Sequence, residues 1–411
     1  MKYNLKLYHK NNQIHNYKYE KPVIPISILN NDNNLLDNHS WIRLSSDIEI
    51  FRYIPENNSL LLASKIKGKL QFKPYLLVNG YQSNHLTWNF FAGRLWKLGF
   101  RNIYSLEIND FTNYEDQYYN MFESAIRLIL RSQNKFNKIN LIGHSMGGIL
   151  SRYYIKQREK LGKKPNISLL VTLATPQYGF PKLSNHFETI LKHIFVPESV
   201  DVLSQDKGVF SIINNIPDQN EYLKLTMINI QGSLKRLAGR DGLFKPEPVS
   251  EMINIVQPRS HFHVHKSHAV FNNLIKFFLS NVFIYKIQLE SIEFKSTKYS
   301  KQFEVYFIIK NENYGHRQRY PIEENIEVSS KNVKLHYPFI IFTGDTVLKS
   351  SHKEVKISLI RKKLLSHENL ITGSIPINFS KKSSMVRHLT LQNQNVACKL
   401  KIISYKLGGK K

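Results

Sequence analysis

One stretch, residues 138–154, constrains the fold of this chain more than any other. It opens with the apolar run Ile139–Ile142, which predicts a buried strand. The run breaks at Gly143–Gly147, a Gly-x-Ser-x-Gly sequence, and helical spacing follows from Ile149 to Tyr154. A serine at such a sharp turn is strained, and flanking glycines avoid the clash that a Cβ would make with neighbouring backbone. We therefore expect the Ser145 hydroxyl to stand above a sheet edge, at a helix N-terminus.

Strand, Gly-x-Ser-x-Gly and helix, in that order, form the context of a nucleophilic serine. Gly143–Gly148 reads Gly-His-Ser-Met-Gly-Gly and resembles the signature of α/β-hydrolase lipases and esterases. Arg152–Tyr154 and Thr172–Gly179 are similar to stretches of bacterial and plastid lipases, and the resemblance spans about residues 41–279. It implies an α/β fold, a mostly parallel sheet with helices on both faces, and Ser145 as the catalytic nucleophile. The alternative is a chance Gly-x-Ser-x-Gly in a loop.

The pattern on both sides of this turn alternates between apolar runs and helical spacing. Predicted strands lie at 41–44, 48–53, 74–78, 102–106, 138–142, 167–176, 223–230 and 253–256, and predicted helices at 88–98, 114–130 and 269–279. Strands that alternate with helices imply a mostly parallel sheet with right-handed crossovers. We expect the first two strands to form an antiparallel edge of that sheet.

From about Phe283 onward the apolar residues recur every second position, which predicts a small antiparallel β-sandwich. Residues 370–402 are similar to the end of C2-type membrane-docking domains. Calcium-binding C2 loops use clustered aspartates, but residues 282–411 contain the single aspartate Asp345. Any membrane contact of this region is therefore expected to involve Lys and Arg, without calcium.

Three parts follow from these patterns. A polar N-terminal arm, expected to be loosely ordered, occupies residues 1–38; an α/β-hydrolase catalytic domain occupies 39–281, with a boundary near Asn281; and the β-sandwich occupies 282–411. Residues 177–220 break the strand–helix rhythm at a place where such enzymes carry a lid or cap. Ordinary packing helices are the alternative for that segment.

Composition bears on partners and compartment. The chain has 58 Lys and Arg against 31 Asp and Glu, a net charge of +27 spread along its 411 residues. This excess favours anionic partners, such as a phospholipid surface, nucleic acid or an acidic polymer; simple solubility is the alternative. Cys398 is the single cysteine, so no intrachain disulfide is possible. Without a signal peptide or an apolar run of ~20 residues, we expect a cytoplasmic or peripheral membrane protein, with export by a signal-independent route left open.

A serine nucleophile needs a base, and the base needs a carboxylate that orients it. In α/β-hydrolases the chain order is serine, acid, histidine. Asp241 follows the predicted 223–230 strand, and Asp241–Phe244 resembles the Asp-Gly-hydrophobic turn of lipases. We predict that Asp241 is the acid, against the reading of an ordinary turn aspartate. Glu247 and Glu251 are the alternatives.

Four histidines follow the last strand of the series: His261, His263, His265 and His268. His268 directly precedes the final predicted helix and resembles the histidine ahead of the closing helix in lipases. We predict that His268 is the base, with His265 as the next candidate. No His, Cys and carboxylate spacing supports a metal site, and neither a metal nor a cofactor is expected.

The negative charge that develops during ester cleavage needs two N–H donors. One should be the backbone N–H of Met146, the residue after the serine. The second should be the backbone N–H of Tyr81, after the first central strand. The family usually has His-Gly at this point, whereas this chain has Asn79-Gly80. Because the donor belongs to the backbone, the chemistry tolerates that departure.

The sequence therefore predicts a serine hydrolase that cleaves carboxylic esters through an acyl-enzyme, with a lipase- or phospholipase-type lipid substrate and an anionic membrane as a further partner. One alternative is a lipid acyltransferase on the same triad. The other is a non-catalytic module that binds anionic lipid or nucleic acid. Ser, Asp and His in the expected order favour the enzyme, and nucleic acid is not the expected partner.

Overall fold

A computed structural model provides the fold. The residues that it describes are 3–8, 14–19, 41–54, 72–108, 115–133, 135–179, 209–213, 225–234, 240–241, 243–244, 246–278, 282–295, 303–311, 317–320, 326–328, 334–347, 353–363, 366–377 and 384–407. Two strands, β1 (Tyr3–Tyr8) and β2 (Ile14–Tyr19), pair antiparallel inside the predicted N-terminal arm. Most of the predicted lid, 177–220, lies outside the described residues.

Eight strands form one mixed sheet. They are β3 (Trp41–Arg43), β4 (Ile50–Tyr53), β5 (Tyr75–Val78), β6 (Ile103–Leu106), β7 (Ile139–His144), β8 (Ile167–Leu173), β9 (Thr226–Gly232) and β10 (Ile253–Gln257). The spatial order is β10-β9-β8-β7-β5-β6-β4-β3. Strand β5 runs parallel to β6 and β7, and β7 runs parallel to β8, whereas β4 is antiparallel to both β3 and β6. The predicted mostly parallel sheet with an antiparallel edge is confirmed.

Helices connect these strands. They are α1 (Asn89–Lys97), α2 (Glu115–Ser132), α3 (Met146–Lys160), α4 (Val209–Ile213) and α5 (His268–Phe278), with 3-10 helices at His85–Trp88 and His261–Lys266. In α2 the residues Phe122, Ala125, Ile126 and Ile129 recur at helical spacing and are all buried, so one face of the helix joins the core. Among the described helices, none combines the length and the apolar character that crossing a membrane requires.

The order of the strands creates a crevice beside β5. After β5 the chain first adds β6 on one side and then returns to place β7 on the other side. Ligands of open α/β sheets bind at such a switch point, beyond the carboxyl ends of the strands. The two segments that leave this point are Asn79–Tyr81, after β5, and Ser145, after β7. The topology thus brings together the serine and the loop predicted to stabilise the oxyanion.

The C-terminal region forms two antiparallel sheets. Its strands are β11 (Val282–Phe294), β12 (Phe303–Asn311), β13 (Arg317–Tyr320), β14 (Ile326–Val328), β15 (Lys334–Val347), β16 (Lys353–Lys362), β17 (His367–Ile377), β18 (Ser384–Gln392) and β19 (Val396–Lys406). One sheet has the order β15-β11-β19-β18; the other has β13-β12-β16-β17, with β14 paired to β12. Alternate residues of both sheets share one apolar core, which confirms the predicted sandwich. The similarity to C2-type domains stays a prediction.

The chain divides into two compact units. The first comprises Met1–Pro217, Ile228–Glu247 and Val256–Ile275; the second comprises Asp218–Met227, Pro248–Ile255 and Lys276–Lys411. Strands β1 to β8 belong to the first unit, and β11 to β19 belong to the second. The boundaries predicted at 38/39 and 281/282 stay predictions.

Candidate active site

Ser145 occupies a strained turn between β7 and α3. Its φ of 52° and ψ of −122° lie in a region that residues with a Cβ rarely adopt. Only glycine fits at positions 143 and 147, two residues before and two residues after the serine. A Cβ on Gly143 would lie 2.6 Å from the carbonyl carbon of Gly147, and a Cβ on Gly147 would lie 2.5 Å from the Val78 carbonyl oxygen. The turn is therefore held tightly against the end of β5, as the Gly-x-Ser-x-Gly pattern predicts.

The imidazole of His261 lies next to this serine. Its Nε2 is 3.0 Å from Ser145 Oγ, a distance at which the hydroxyl donates to the ring nitrogen. Both side chains are buried. His261 begins the 3-10 helix that follows β10, and its backbone N–H donates to the Asp241 carbonyl oxygen over 2.8 Å. This bond joins the two loops that carry the histidine and the acid.

Asp241 faces the other nitrogen of the same ring. Its Oδ2 lies 3.0 Å from His261 Nδ1, while Oδ1 accepts backbone N–H bonds from Leu243 (2.9 Å) and Phe244 (2.8 Å). The main chain thus holds the carboxylate in place through Oδ1. Its Oδ2 accepts a hydrogen bond from His261 Nδ1 when that nitrogen carries the ring proton. That tautomer leaves Nε2 as the acceptor that a base needs. Ser145, His261 and Asp241, all in the first unit, form one buried hydrogen-bonded line.

The structure places His261 beside Ser145, and not His268, the histidine that the sequence predicted there. His268 is the first residue of α5, and its Nδ1 lies 2.9 Å from Arg94 Nη2. Because a guanidinium only donates, the ring of His268 serves as an acceptor there. Burial and the charge of Arg94 lower the pKa of His268. The 3-10 helix explains why His261, and not His268, lies next to the serine. It turns the chain back over the sheet edge directly after β10, so the first histidine of the group reaches Ser145.

Two further histidines lie beside the line of three. The ring of His144 is centred 5.3 Å from the ring of His261 and 4.5 Å from that of His265. Burial is the main cause of low pKa values in both: the pKa of His144 falls well below its usual value, and that of His265 falls to about 3. Both rings are therefore neutral at physiological pH. His263, in contrast, is exposed, with its Nδ1 2.6 Å from Ser260 Oγ.

The loop after β5 lies against the serine. A Cβ on Gly80 would lie 3.2 Å from the Ser145 Cβ, so the backbone leading to Tyr81 passes directly beside the nucleophile. The buried Asn79 side chain holds this loop: Oδ1 accepts from Ile108 N over 3.2 Å, and Nδ2 donates to the carbonyls of Gly80 and Ser83. Asn79 thus takes on a loop-supporting role that the sequence left uncertain. Met146, the other expected donor, is the first residue of α3.

The alternative acids have other partners. Glu247 Oε2 accepts from Tyr178 N over 3.2 Å, and Glu251 Oε2 accepts from Ser250 Oγ over 3.2 Å. Across the described part of the chain, no group of three or more His, Cys, Asp or Glu residues is arranged to hold a metal ion.

Residues 107–265 match the family described as the PGAP1-like alpha/beta domain. This range contains Ser145, Asp241 and His261, and four of the eight strands of the mixed sheet, β7 to β10. The match, the sheet order and the strained strand–turn–helix agree on one fold. The chain carries an α/β-hydrolase domain. The predicted fold and the resemblance from which it came are confirmed.

Solved structures with a similar backbone include a lipase, a carboxylesterase and an epoxide hydrolase. The mature lipase BlEst2 of Bacillus licheniformis is 17% identical, with 50% of this chain and 92% of that chain covered and a TM-score of 0.41. A carboxylesterase structure from Nitrososphaera gargenis is 19% identical, with 58% and 97% covered and a TM-score of 0.35. An epoxide hydrolase of Bacillus megaterium is 12% identical, with 51% and 94% covered and a TM-score of 0.32. No curated protein sequence matches the chain.

Proposed function

We propose that the α/β-hydrolase domain is a serine hydrolase that cleaves carboxylic esters through an acyl-enzyme. One observation carries the proposal: Ser145 Oγ, His261 and Asp241 form a continuous buried line with two contacts of 3.0 Å. A serine hydroxyl is a weak nucleophile unless a base takes its proton, and a neutral imidazole oriented by a carboxylate supplies that base.

The proposed reaction has two halves. Ser145 Oγ attacks the ester carbonyl carbon while its proton passes to His261 Nε2, and the backbone N–H groups of Met146 and Tyr81 hold the oxyanion. The C–O bond to the alcohol then breaks, and His261 returns the proton to the leaving alkoxide. In the second half, His261 removes a proton from water as the water oxygen attacks the acyl carbon. The bond from that carbon to Ser145 Oγ then breaks, and His261 returns the proton to Oγ, which releases the acid and regenerates the serine. Asp241 stays ionised throughout and stabilises the imidazolium.

A lipid acyl ester is the substrate class that we favour. The net charge of +27 suits an anionic lipid surface, and the family resemblance of Gly143–Gly148 is to lipases and esterases. An acyltransferase would share every step up to the acyl-enzyme and would differ in using an alcohol in place of water. A non-catalytic lipid- or nucleic-acid-binding module would not form the acyl-enzyme at all.

The test is hydrolysis of soluble short-chain and dispersed long-chain acyl esters, together with covalent labelling by a fluorophosphonate. We expect labelling of the wild type, none of Ser145→Ala, and a loss of activity of about 10⁴-fold in Asp241→Asn, where the ring tautomer is wrong. Glu247→Gln is the matched control for a lost carboxylate. Esterase activity that persists in Ser145→Ala would end the proposal, as would a wild-type protein that neither labels nor hydrolyses any ester. Products formed with an added lipid alcohol in preference to water would replace it with the acyltransferase.

A further inference from the structure

Each of the two 3-10 helices exposes one large apolar side chain. Leu86, in His85–Trp88, is 51% exposed, and Phe262, in His261–Lys266, is 62% exposed. Ile42, Leu44, Leu161 and Val256 are also exposed in the described part of the first unit, but Phe262 has the largest exposed fraction of this group and Leu86 the second largest. An exposed phenylalanine or leucine gains free energy when a partner removes its apolar surface from water.

The exposure is built into the helices. Residues three apart share one side of a 3-10 helix, and His261 and Val264 are both buried. Phe262 follows on another side, in solvent. The two helices contact each other, with the ring of buried Trp88 centred 6.2 Å from that of His265. The two helices are thus packed together through their buried sides, and Leu86 and Phe262 are the exposed large apolar residues that they carry.

The position of the exposed residues relates them to the chemistry. Phe262 directly follows His261, with the two rings edge-to-face at 5.3 Å. Leu86 comes five residues after Tyr81, the proposed oxyanion donor. Both apolar side chains therefore lie on chain segments that also carry residues of the proposed site.

Two carboxylates that contact these helices, Glu107 at His85 and Asp241 at His261, are both buried, whereas the exposed charged side chains next to Phe262 along the chain are basic. Arg259, His263 and Lys266 are exposed on the same segment as Phe262. Neither residues 79–90 nor residues 256–271 contain an aspartate or glutamate. Apolar side chains that enter a lipid layer, beside basic side chains that meet its head groups, are the two contributions that hold a protein on an anionic membrane.

We propose that Leu86, Phe262, Arg259, His263 and Lys266 form a rim surface that docks on an anionic lipid–water interface. Phe262 and Leu86 enter the apolar layer, and the basic side chains contact phosphate head groups. Docking in this way turns the opening at Ser145 toward the lipid. That consequence rests on the proposed ester hydrolysis, whereas the docking itself does not.

The experiment uses the full chain with Ser145→Ala, so that the lipid stays intact, and measures co-sedimentation with vesicles. One vesicle is phosphatidylcholine alone; in the other, about a quarter of the lipid is phosphatidylglycerol. Phe262→Ser and Leu86→Ser are added singly to this background. The matched control is Leu161→Ser. Leu161 is 49% exposed but follows the far end of α3, about 22 Å along the helix from Ser145.

We expect binding to the anionic vesicles, and a partition coefficient roughly tenfold lower for each rim substitution, because burial of a leucine or phenylalanine contributes at least this factor. Leu161→Ser should bind as the parent does. Lys266→Gln should weaken binding at low salt and have little effect at high salt. Melting temperatures identify any variant that fails to fold.

Three outcomes would overturn the docking surface: no binding to either vesicle, equal losses for Leu161→Ser and Phe262→Ser, or self-association of the chain that Phe262→Ser abolishes, which would make the rim surface a contact between two copies. Hydrolysis of a soluble ester by the wild type is measured in parallel. Activity on that ester without vesicle binding refutes docking alone, and vesicle binding without any ester activity refutes the proposed function alone.

Discussion

His144 Nε2 donates a hydrogen bond to the backbone carbonyl oxygen of His261, 3.1 Å away. A carbonyl oxygen only accepts, so the proton of the neutral His144 ring must be on Nε2. The residue that directly precedes the nucleophile therefore supports the backbone of the proposed base, which lies 117 positions further along the chain. This bond links the turn that carries Ser145 to the 3-10 helix that carries His261.

Replacing His144 should affect turnover more than substrate binding. In His144→Phe the ring volume remains but the donor is lost, and we expect kcat to fall about tenfold with KM nearly unchanged, because the imidazole of His261 is less well placed. Steady-state kinetics on a soluble ester measure both constants, and His388→Gln, an exposed histidine of the second unit, is the control. An unchanged kcat in a folded His144→Phe would show that the bond does not position the base.

Two histidine substitutions separate the base from its neighbour. His261→Gln should lower kcat by about 10⁴-fold, since the nucleophile then has no base. His268→Gln should stay within about threefold of the wild type, because its ring contacts Arg94 and not Ser145. The rate of fluorophosphonate labelling should follow the same order. The reverse order would restore His268 as the base and show that this arrangement of the His261–Lys266 helix is not the active one.

Asn79→Ala should impair stabilisation of the oxyanion. The substitution removes the bonds that tie the Gly80–Tyr81 backbone to Ile108 and Ser83, and a displacement of about 1 Å at such a donor costs roughly 100-fold in kcat. Asn89→Ala removes an amide that accepts from Trp41 Nε1 outside the site, and it serves as the control. Both kcat and the melting temperature should be measured. A loss of stability without a loss of kcat would assign Asn79 a purely structural role.

Acid should destabilise the fold through His265. Burial lowers its pKa from 6.5 to about 3, and within the described residues neither ring nitrogen has a hydrogen-bond partner. Between these two values the unfolded chain binds a proton that the folded chain does not. The free energy of unfolding therefore decreases as the pH falls from 6.5 toward 3, by at most about 1.4 kcal/mol per pH unit from this group.

His265→Phe should remove this contribution and flatten the pH dependence. Urea denaturation at several pH values between neutrality and the acid range measures it, with His388→Gln as an exposed control. His144 contributes in the same direction, so part of the slope should remain in the single variant. Identical slopes for wild type and His265→Phe would refute the assignment.

Glu159 should have the opposite dependence on pH. This residue of α3 is 7% exposed, and burial raises its pKa to about 7 although Lys156 Nζ lies 4.0 Å from Oε2. Between 4.5 and 7 the folded chain holds a proton that the unfolded chain releases, so stability falls as the pH rises through this range. Glu159→Gln should thus stabilise the protein above pH 7, by on the order of 2 kcal/mol, and have little effect near pH 4. Glu354→Gln, at an exposed position, should leave the free energy of unfolding unchanged at both pH values.

Local patterns were enough to predict the architecture and the strained turn that carries Ser145. The turn could be predicted because its signals come from residues that are close together in sequence: the apolar run of β7, the glycines at 143 and 147, and the spacing of α3. The clash of a Cβ at either glycine follows from backbone geometry alone. The period of two after Phe283 likewise predicted the sandwich, because alternation reflects one buried and one exposed face of each strand. Asp241 was predicted from its place in the chain order, and its carboxylate lies beside the imidazole of His261.

Local patterns did not decide which of the four histidines within residues 261–268 would lie next to Ser145. All four occupy one short segment, and a shift of a single turn decides which ring meets Ser145. The position of the rings depends on the 3-10 helix after β10 and on two hydrogen bonds. One runs from His261 N to the Asp241 carbonyl oxygen, 20 positions away, and the other from His144 to the His261 carbonyl oxygen, 117 positions away. The amino-acid order therefore specified the kinds of groups and the edge of the sheet where they meet, while long-range hydrogen bonds selected the imidazole, because such bonds exist only once the chain has packed.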